Sequence, residues 1–415
     1  MRILPVLLLA CVLPLASVHA EEAAPTKTPT PALPTAKPAD VGLSAERLAG
    51  IADVVKPLIE KKAIAGAVTV VARKGKVAYS EAFGAFEKDS LFRIYSMTKP
   101  VTVAAALMLV DDGSLKLDEP VATYLPAFKH PKVEGKEGEV APITVRQLMM
   151  HTAGFSYGFF GNTPVDQAYR KARLLGRNRS LAEMSTELSK IPLLFEPGGR
   201  WHYSVSIDLL GRLIEVVAKK PFDVFLRERL FTPLGMVDTA FHVPPEKVDR
   251  FVPNYGMGGI VVDRPKTSAF LTKPAFLSGG GGLISTARDY TIFALMLASG
   301  GTWNGKRYLK AETVREMTVN HLPDELMPIR FGAVPLVGLG FGLGVSVRVK
   351  GTMPGMSVGE WGWAGAASTT FFVAPKEELV MISMTQRMPM WNGLDRALRP
   401  VVFGAIEQAK PATAK

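Results

Sequence analysis

Strand-forming runs sit at both ends of this sequence while the middle carries helical periodicity, and that division constrains the fold more than any other feature. Ala67 to Ala72 and Lys76 to Phe83 flank Arg73-Lys74-Gly75, where Gly75 suits the left-handed position of a hairpin turn. Phe341 to Lys350, Ala366 to Ala374 and Glu378 to Gln386 form the second set, the last two separated by Pro375-Lys376-Glu377. A lone hairpin is marginally stable at best in water. Both sets are therefore expected in one antiparallel sheet, built from N- and C-terminal segments and flanked by helices, with a mainly helical lobe inserted between them: an α+β fold.

The helix signals fit that plan. Ser44 is placed to cap a helix in which Leu48, Ile51, Val55, Leu58 and Ile59 recur at helical spacing. A second helix is expected to open near Ser96 and run to Val110, with Val101, Ala104, Ala105 and Met108 as its apolar stripe and Pro100 in its first turns. From about 115 to 275 helix signals and long loops dominate. Ser180 and Glu183 make a capping box for 180–190, and Leu209, Leu210, Leu213, Ile214 and Val217 line a helix over 204–218. Thr286 and Asp289 form another box before a helix ending at Gly300-Gly301, and a last helix covers about Asn392 to Gln408.

Arg2, the apolar stretch Ile3 to Leu15 and the small residues of Ala16-Ser17-Val18-His19-Ala20 read as a signal peptide cleaved after Ala20, which implies a periplasmic or secreted protein. The stretch is too short to span a bilayer and is interrupted by Pro5 and Pro14, so the mature chain is expected to have no transmembrane segment. Cys11, the only cysteine, follows Leu8-Leu9-Ala10, which leaves lipidation as an alternative; cleavage after Ala20 removes it and with it any thiol chemistry. Residues 21–40, rich in Pro, Thr, Ala and Lys, are expected to form an extended linker, followed by one hydrolase domain over 41–409 and a tail at 410–415. The net charge of +11 is scattered, Lys61-Lys62 and Lys219-Lys220 being the longest basic runs without interleaved aromatics, so a solvated surface and no nucleic-acid partner are expected.

Three motifs carry chemistry. In Ser96-Met97-Thr98-Lys99 the spacing puts an amine beside a hydroxyl on one helical face, at a helix start whose dipole favours a developing alkoxide. Burial and neighbouring positive charge would keep Lys99 neutral enough to take the serine proton. An N-capping Ser followed by a surface Lys has the same spacing. Tyr203-Ser204-Val205 lies between Glu196-Pro197-Gly198-Gly199 and a helix, where a phenol can shuttle a proton; a half-buried Tyr with a satisfied hydroxyl is the plain alternative. In Trp361-Gly362-Trp363-Ala364-Gly365-Ala366 the small residues let backbone approach a substrate, and the Ala366 N–H can pair with that of Ser96 as an oxyanion hole. A glycine-relieved edge strand is the bland reading of that segment. None of the six histidines forms a His-x-x-His or His-Glu-x-x-His pair, which speaks against metal catalysis.

The order of these motifs resembles the serine β-lactamase and D,D-peptidase superfamily, closest to the class C-like branch that includes family VIII carboxylesterases. Ile143 to Gly154 (with His151 in it), Phe195-Glu196-Pro197-Gly198 and Gly279-Gly280-Gly281-Gly282-Leu283 look like that branch too, and the similarity runs from about Val41 to the C-terminal helix. The resemblance implies a β-lactamase/transpeptidase-like fold, no cofactor and no metal. It implies Ser96 as nucleophile, Lys99 as its activating partner, Tyr203 as general base and acid, and the Ser96 and Ala366 amides as oxyanion hole, with His151 structural. Val205, Trp363, Ala364 and Gly365 then face the substrate. Two positions depart from the β-lactamase pattern: Val205 replaces an Asn, and Trp363-Ala364-Gly365 replaces Lys-Thr-Gly. Losing a charge-assisted contact forgoes about 1.5–3 kcal/mol of recognition of a carboxylated β-lactam, while an apolar ester loses nothing. The expected activity is a carboxylesterase on short-chain esters, acting through an acyl-enzyme on Ser96, with Phe159-Phe160 and Val334 to Leu343 rimming the acyl pocket. The alternatives are a β-lactamase, a D,D-peptidase or a D-aminopeptidase-like hydrolase of cell-wall peptides, or a non-catalytic scaffold; a small-molecule ester or amide is the expected partner.

Overall fold

Two-residue alternation in the apolar runs fixes the sheet. Ala67 and Val71 face one hydrophobic cluster while Val68, Val70 and Ala72 face the other, and Phe372 and Ala374 alternate with Phe371 and Val373 in the same way. Both faces of the sheet are covered at its centre, so Gly66–Arg73, Thr370–Ala374 and Leu379–Met384 are buried almost throughout, whereas the edge strand Lys76–Gly84 is largely half-buried or exposed. The structure is a computed structural model that describes residues 32–407; the expected signal peptide, its cleavage site, Cys11, the first part of the linker and the tail lie outside the described residues.

The sheet has seven strands: β1 (Gly66–Arg73), β2 (Lys76–Gly84), β3 (Leu339–Phe341), β4 (Ser346–Arg348), β5 (Trp361–Ala364), β6 (Thr370–Ala374) and β7 (Leu379–Met384). They lie in the order β3-β4-β5-β6-β7-β1-β2, every neighbouring pair antiparallel. The two ends of the chain thus meet where β1 pairs with β7, as the strand pattern predicts. The C-terminal half differs in detail. The run 341–350 is two strands split at Gly344, whose φ of +72° turns the chain and whose place against Val103 leaves no room for a Cβ. The glycine-rich motif 361–364 is a strand in its own right.

One face of the sheet carries α1 (Ile51–Glu60) and the final helix Gly393–Gly404; the other carries Ala287–Ala298 and, beyond it, the lobe. Between sheet and lobe runs α2 (Thr98–Asp111), buried over its whole surface from Thr98 to Leu109 and packed on α3 (Ser206–Ala218). An apolar stripe was the expectation for α2; burial on all sides replaces it because α2 is a central helix. Ser180 and Glu183 form the full capping box, whereas at Thr286 only half forms: Thr286 accepts the Asp289 N–H, and the Asp289 carboxylate instead takes the Asp238 N–H at 2.7 Å. The lobe holds further short helices and a small hairpin pairing Asn254–Tyr255 with Val261–Asp263.

The described end of the Pro-rich stretch is no free tether. The Ala36 N–H bonds the Val77 carbonyl and the Val77 N–H bonds the Pro34 carbonyl, so this segment covers the open edge of β2. Among the described residues no helix is long and apolar enough to cross a membrane.

Candidate active site

Ser96 sits in a one-turn 3-10 segment, Tyr95–Met97, that feeds directly into α2. Tyr95 before it has φ +41°, an uncommon conformation for a non-glycine residue, costing on the order of 1 kcal/mol. Its ring is held edge-on by Phe270 and its hydroxyl accepts the Asn254 side-chain amide at 3.3 Å. That turn lifts Ser96 out of the core: it is half-buried and lines a cavity of about 1320 Å³, whereas Met97, Thr98 and Lys99 on its C-terminal side are buried.

One turn on, Lys99 is 0% exposed. Its Nζ donates to the Ser96 Oγ at 3.3 Å and to the Gly280 carbonyl at 2.6 Å. The ammonium position lies 4.4 Å from the centre of the Tyr203 ring and 5.4 Å from that of Tyr157. Tyr203 lines the cavity, and its hydroxyl accepts the Trp363 indole N–H at 3.3 Å. Three stretches of chain, 96–99, 203 and 361–366, therefore meet around one hydroxyl that faces open space.

Ala366 follows the end of β5, in a turn where Gly365 donates to the Thr369 carbonyl at 2.8 Å. Gly365 packs so closely on the Ile94 carbonyl that no Cβ fits, and this brings the Ala366 peptide to the wall that holds Ser96. Neither the Ser96 nor the Ala366 N–H is spent on a backbone carbonyl. Two unspent amides on the wall of one cleft can receive an oxyanion. Trp363, Ala364 and Gly365 line the same wall.

Val205 does not belong with them. It is wholly buried, gives its N–H to the Ser156 carbonyl at 3.2 Å and starts α3, so its side chain faces core instead of substrate. His151 is likewise sealed, its ring 4.8 Å from that of Tyr203 and its Nδ1 at 3.3 Å from Ser204 Oγ, and burial holds its pKa well below the usual histidine value. Sequence reasoning missed Asp208, fully buried on α3, whose Oδ1 accepts Ser278 Oγ–H at 2.5 Å and Gly280 N–H at 3.0 Å. The available signal was a carboxylate inside the apolar stretch Ile207 to Leu210. Tyr157 was missed too; burial first, then Asp208 and Tyr203, push its phenol well above 10.

The family model described as Beta-lactamase matches residues 51–401, and the chain belongs to that family. An uncharacterized protein of Mycobacterium tuberculosis is 33% identical over 365 residues, covering 81% of this chain and 89% of the relative. Esterase EstB of Burkholderia gladioli is 32% identical over 285 residues, covering 62% of this chain and 70% of the esterase. Among solved structures, EstCE1, described as a hydrolase with promiscuous acyltransferase activity, superposes with a TM-score of 0.74 at 25% identity, covering 86% of this chain and 99% of its own. The protein is a serine hydrolase of the β-lactamase fold.

Proposed function

We propose that the protein is a carboxylesterase that forms an acyl-enzyme on Ser96 and takes esters with large apolar groups. The observation that carries this is the 3.3 Å contact between Ser96 Oγ and a buried lysine amine at the wall of a cavity of about 1320 Å³. Ser96 Oγ attacks the ester carbonyl while its proton passes to Lys99 Nζ, and the oxyanion is received by the Ser96 and Ala366 amides. Collapse expels the alcohol oxygen, which is protonated from the Lys99 ammonium through the Tyr203 hydroxyl. Water then attacks the acyl carbonyl, the same pair takes its proton, and the carboxylic acid leaves as Ser96 regains its hydrogen.

Substrate size departs from the short-chain expectation. Phe159, Phe160, Phe331, Val334 and Leu336 all line the cavity, and ring contacts link Phe331 to Phe160 and Tyr203 at 4.8 and 5.1 Å. Such walls can bury far more surface than a butyryl group offers, and each buried CH₂ contributes about 0.8 kcal/mol. The absence of a cation in Trp363-Ala364-Gly365 supports an ester over a carboxylated β-lactam. The test is a p-nitrophenyl ester series with a chromogenic cephalosporin alongside. Wild type is expected to favour octanoate over acetate, to hydrolyse the cephalosporin poorly, and to lose at least about 10³-fold in kcat/KM as Ser96→Ala. Undiminished hydrolysis by Ser96→Ala, or cephalosporin turnover above that of every ester, rejects the reading.

Export is part of the same proposal, supported by Arg2, the apolar Ile3 to Leu15 and the small residues before Glu21. The mature protein from a periplasmic fraction is expected to begin at Glu21. Recovery of the uncleaved chain from the cytoplasm alone would contradict it.

A further inference from the structure

Asp208 faces the reacting amine and has no part in the chemistry above. Its Oδ1 is engaged by Ser278 and Gly280, and the Tyr157 phenol makes a side-chain hydrogen bond to the same carboxylate. Gly280, whose N–H donates to Asp208 Oδ1, is also the residue whose carbonyl accepts Lys99 Nζ at 2.6 Å. One carboxylate therefore clamps the turn that holds the amine. The fit is tight: a Cβ on Gly280 would stand 2.6 Å from Asp208 Oδ2 and 2.8 Å from the Tyr157 hydroxyl.

A carboxylate withdrawn from water is costly unless a positive charge faces it. Burial raises the Asp208 carboxyl pKa, and Lys99 is the charge that opposes the shift. The titratable groups around the amine are Tyr203 and Tyr157, whose ring faces it meets, His151 behind Tyr203, and Asp208 on α3. Burial keeps His151 neutral and raises the Tyr157 phenol, and Asp208 is the one carboxyl of the set.

We infer that Asp208 is a positioning residue for Lys99: it fixes the Ser278–Gly280 turn that aims Nζ at Ser96 Oγ, and its negative charge stabilises the ammonium formed when Nζ takes the serine proton. In that step the Ser96 O–H bond breaks, an N–H bond forms on Lys99, and the new negative charge appears on the substrate oxygen in the oxyanion hole. The arrangement matches the role of a carboxylate behind a catalytic base, here acting through one glycine residue and through space. The inference rests on the Ser96 acyl-enzyme reading.

Asp208→Asn keeps the shape and an acceptor for Ser278 and Gly280 but removes the charge. With p-nitrophenyl octanoate, kcat is expected to fall at least about tenfold with KM within about twofold. The acid limb of the kcat/KM profile should move to lower pH, because a buried negative charge beside the reacting groups has been removed. Ser278→Ala, which strips one donor from the carboxylate, should shift both in the same direction by less. Wild-type kcat with an unmoved acid limb in Asp208→Asn overturns the inference. If that variant fails to fold by circular dichroism, an unchanged rate and profile in Ser278→Ala does the same. Ser96→Ala, run in parallel, separates the two ideas: retained hydrolysis there rejects the serine reading itself, whereas its loss beside an unaltered Asp208→Asn rejects only the role of Asp208.

Discussion

At the floor of the cleft Lys99, Asp208 and His151 are withdrawn from solvent and tied to named partners, whereas at the rim Phe159, Val334 and Val337 are each 61% exposed and bring no side-chain polar atom. The floor is a low-dielectric site: burial is the first cause of the lowered His151 pKa and of the raised Tyr157 and Asp208 pKa values. There a displaced hydrogen bond changes the charge state of a reacting group. At the rim a side chain changes only how much apolar ester is removed from water. The floor should therefore govern kcat and the pH profile, and the rim should govern which acyl group is accepted.

The largest expected break in that comparison is Lys99→Met, which keeps most of the volume and deletes the amine. Activity should fall about 10³-fold, within the range for losing a general base. Stability should fall as well, because the Gly280 carbonyl is left without its donor and the Asp208 carboxylate without the charge that opposes its burial. Steady-state kinetics beside a thermal melt checks both; a retained kcat would move the base elsewhere. Next comes Gly365→Val, which forces a side chain against the Ile94 carbonyl and pushes the Ala366 peptide away from Ser96. A misplaced oxyanion donor costs about 10²–10³-fold in kcat, so a loss of that order with KM nearly unchanged is the expected kinetic result.

A third effect separates the floor from the rim by pH. His151 has a folded pKa well below 6.5, so the unfolded chain takes up a proton that the folded chain refuses. Its contribution to stability is complete above pH 6.5 and is lost as pH falls below it, by about 1.4 kcal/mol per pH unit for one proton. Melts of wild type and His151→Asn at pH 7.5, 6.5 and 5.5 should show the variant less stable at the highest pH but flatter below 6.5; Asn suits the left-handed backbone there, φ +58°. Parallel slopes would mean that His151 takes up its proton in the fold as readily as in the unfolded chain.

How much of this was legible from the residues depends on how far apart the partners lie in the chain. The sheet was readable because each strand signals itself by alternation, and Gly75 marks its own hairpin with φ +74°. Ser96 and Lys99 were readable because one helical turn joins them. The split of 341–350 was not, since Gly344 turns against Val103, a residue far away in sequence. Val205 misled because its position in the motif pointed to substrate while the start of α3 turned it into the core. Asp208 stayed hidden for the same reason in reverse: it matters only once the 278–280 turn closes over it.

The smallest effect tests the rim alone. Phe331 lies on the short hairpin that pairs Arg330–Phe331 with Val334–Pro335, with its ring near Phe160 and Tyr203 and its side chain partly in solvent. Phe331→Ala removes apolar contact and touches none of the hydrogen bonds that hold Lys99. Losing part of an aromatic contact is worth about 1 kcal/mol, which corresponds to about a fivefold rise in KM for p-nitrophenyl octanoate. An acetyl group offers the hairpin far less apolar contact than an octanoyl chain, so kcat/KM for the acetate ester should stay within about twofold, and the pH profile should not move. A fall in kcat for acetate would show that Phe331 supports Tyr203 as well as the acyl chain, and would erase the division between floor and rim at that point.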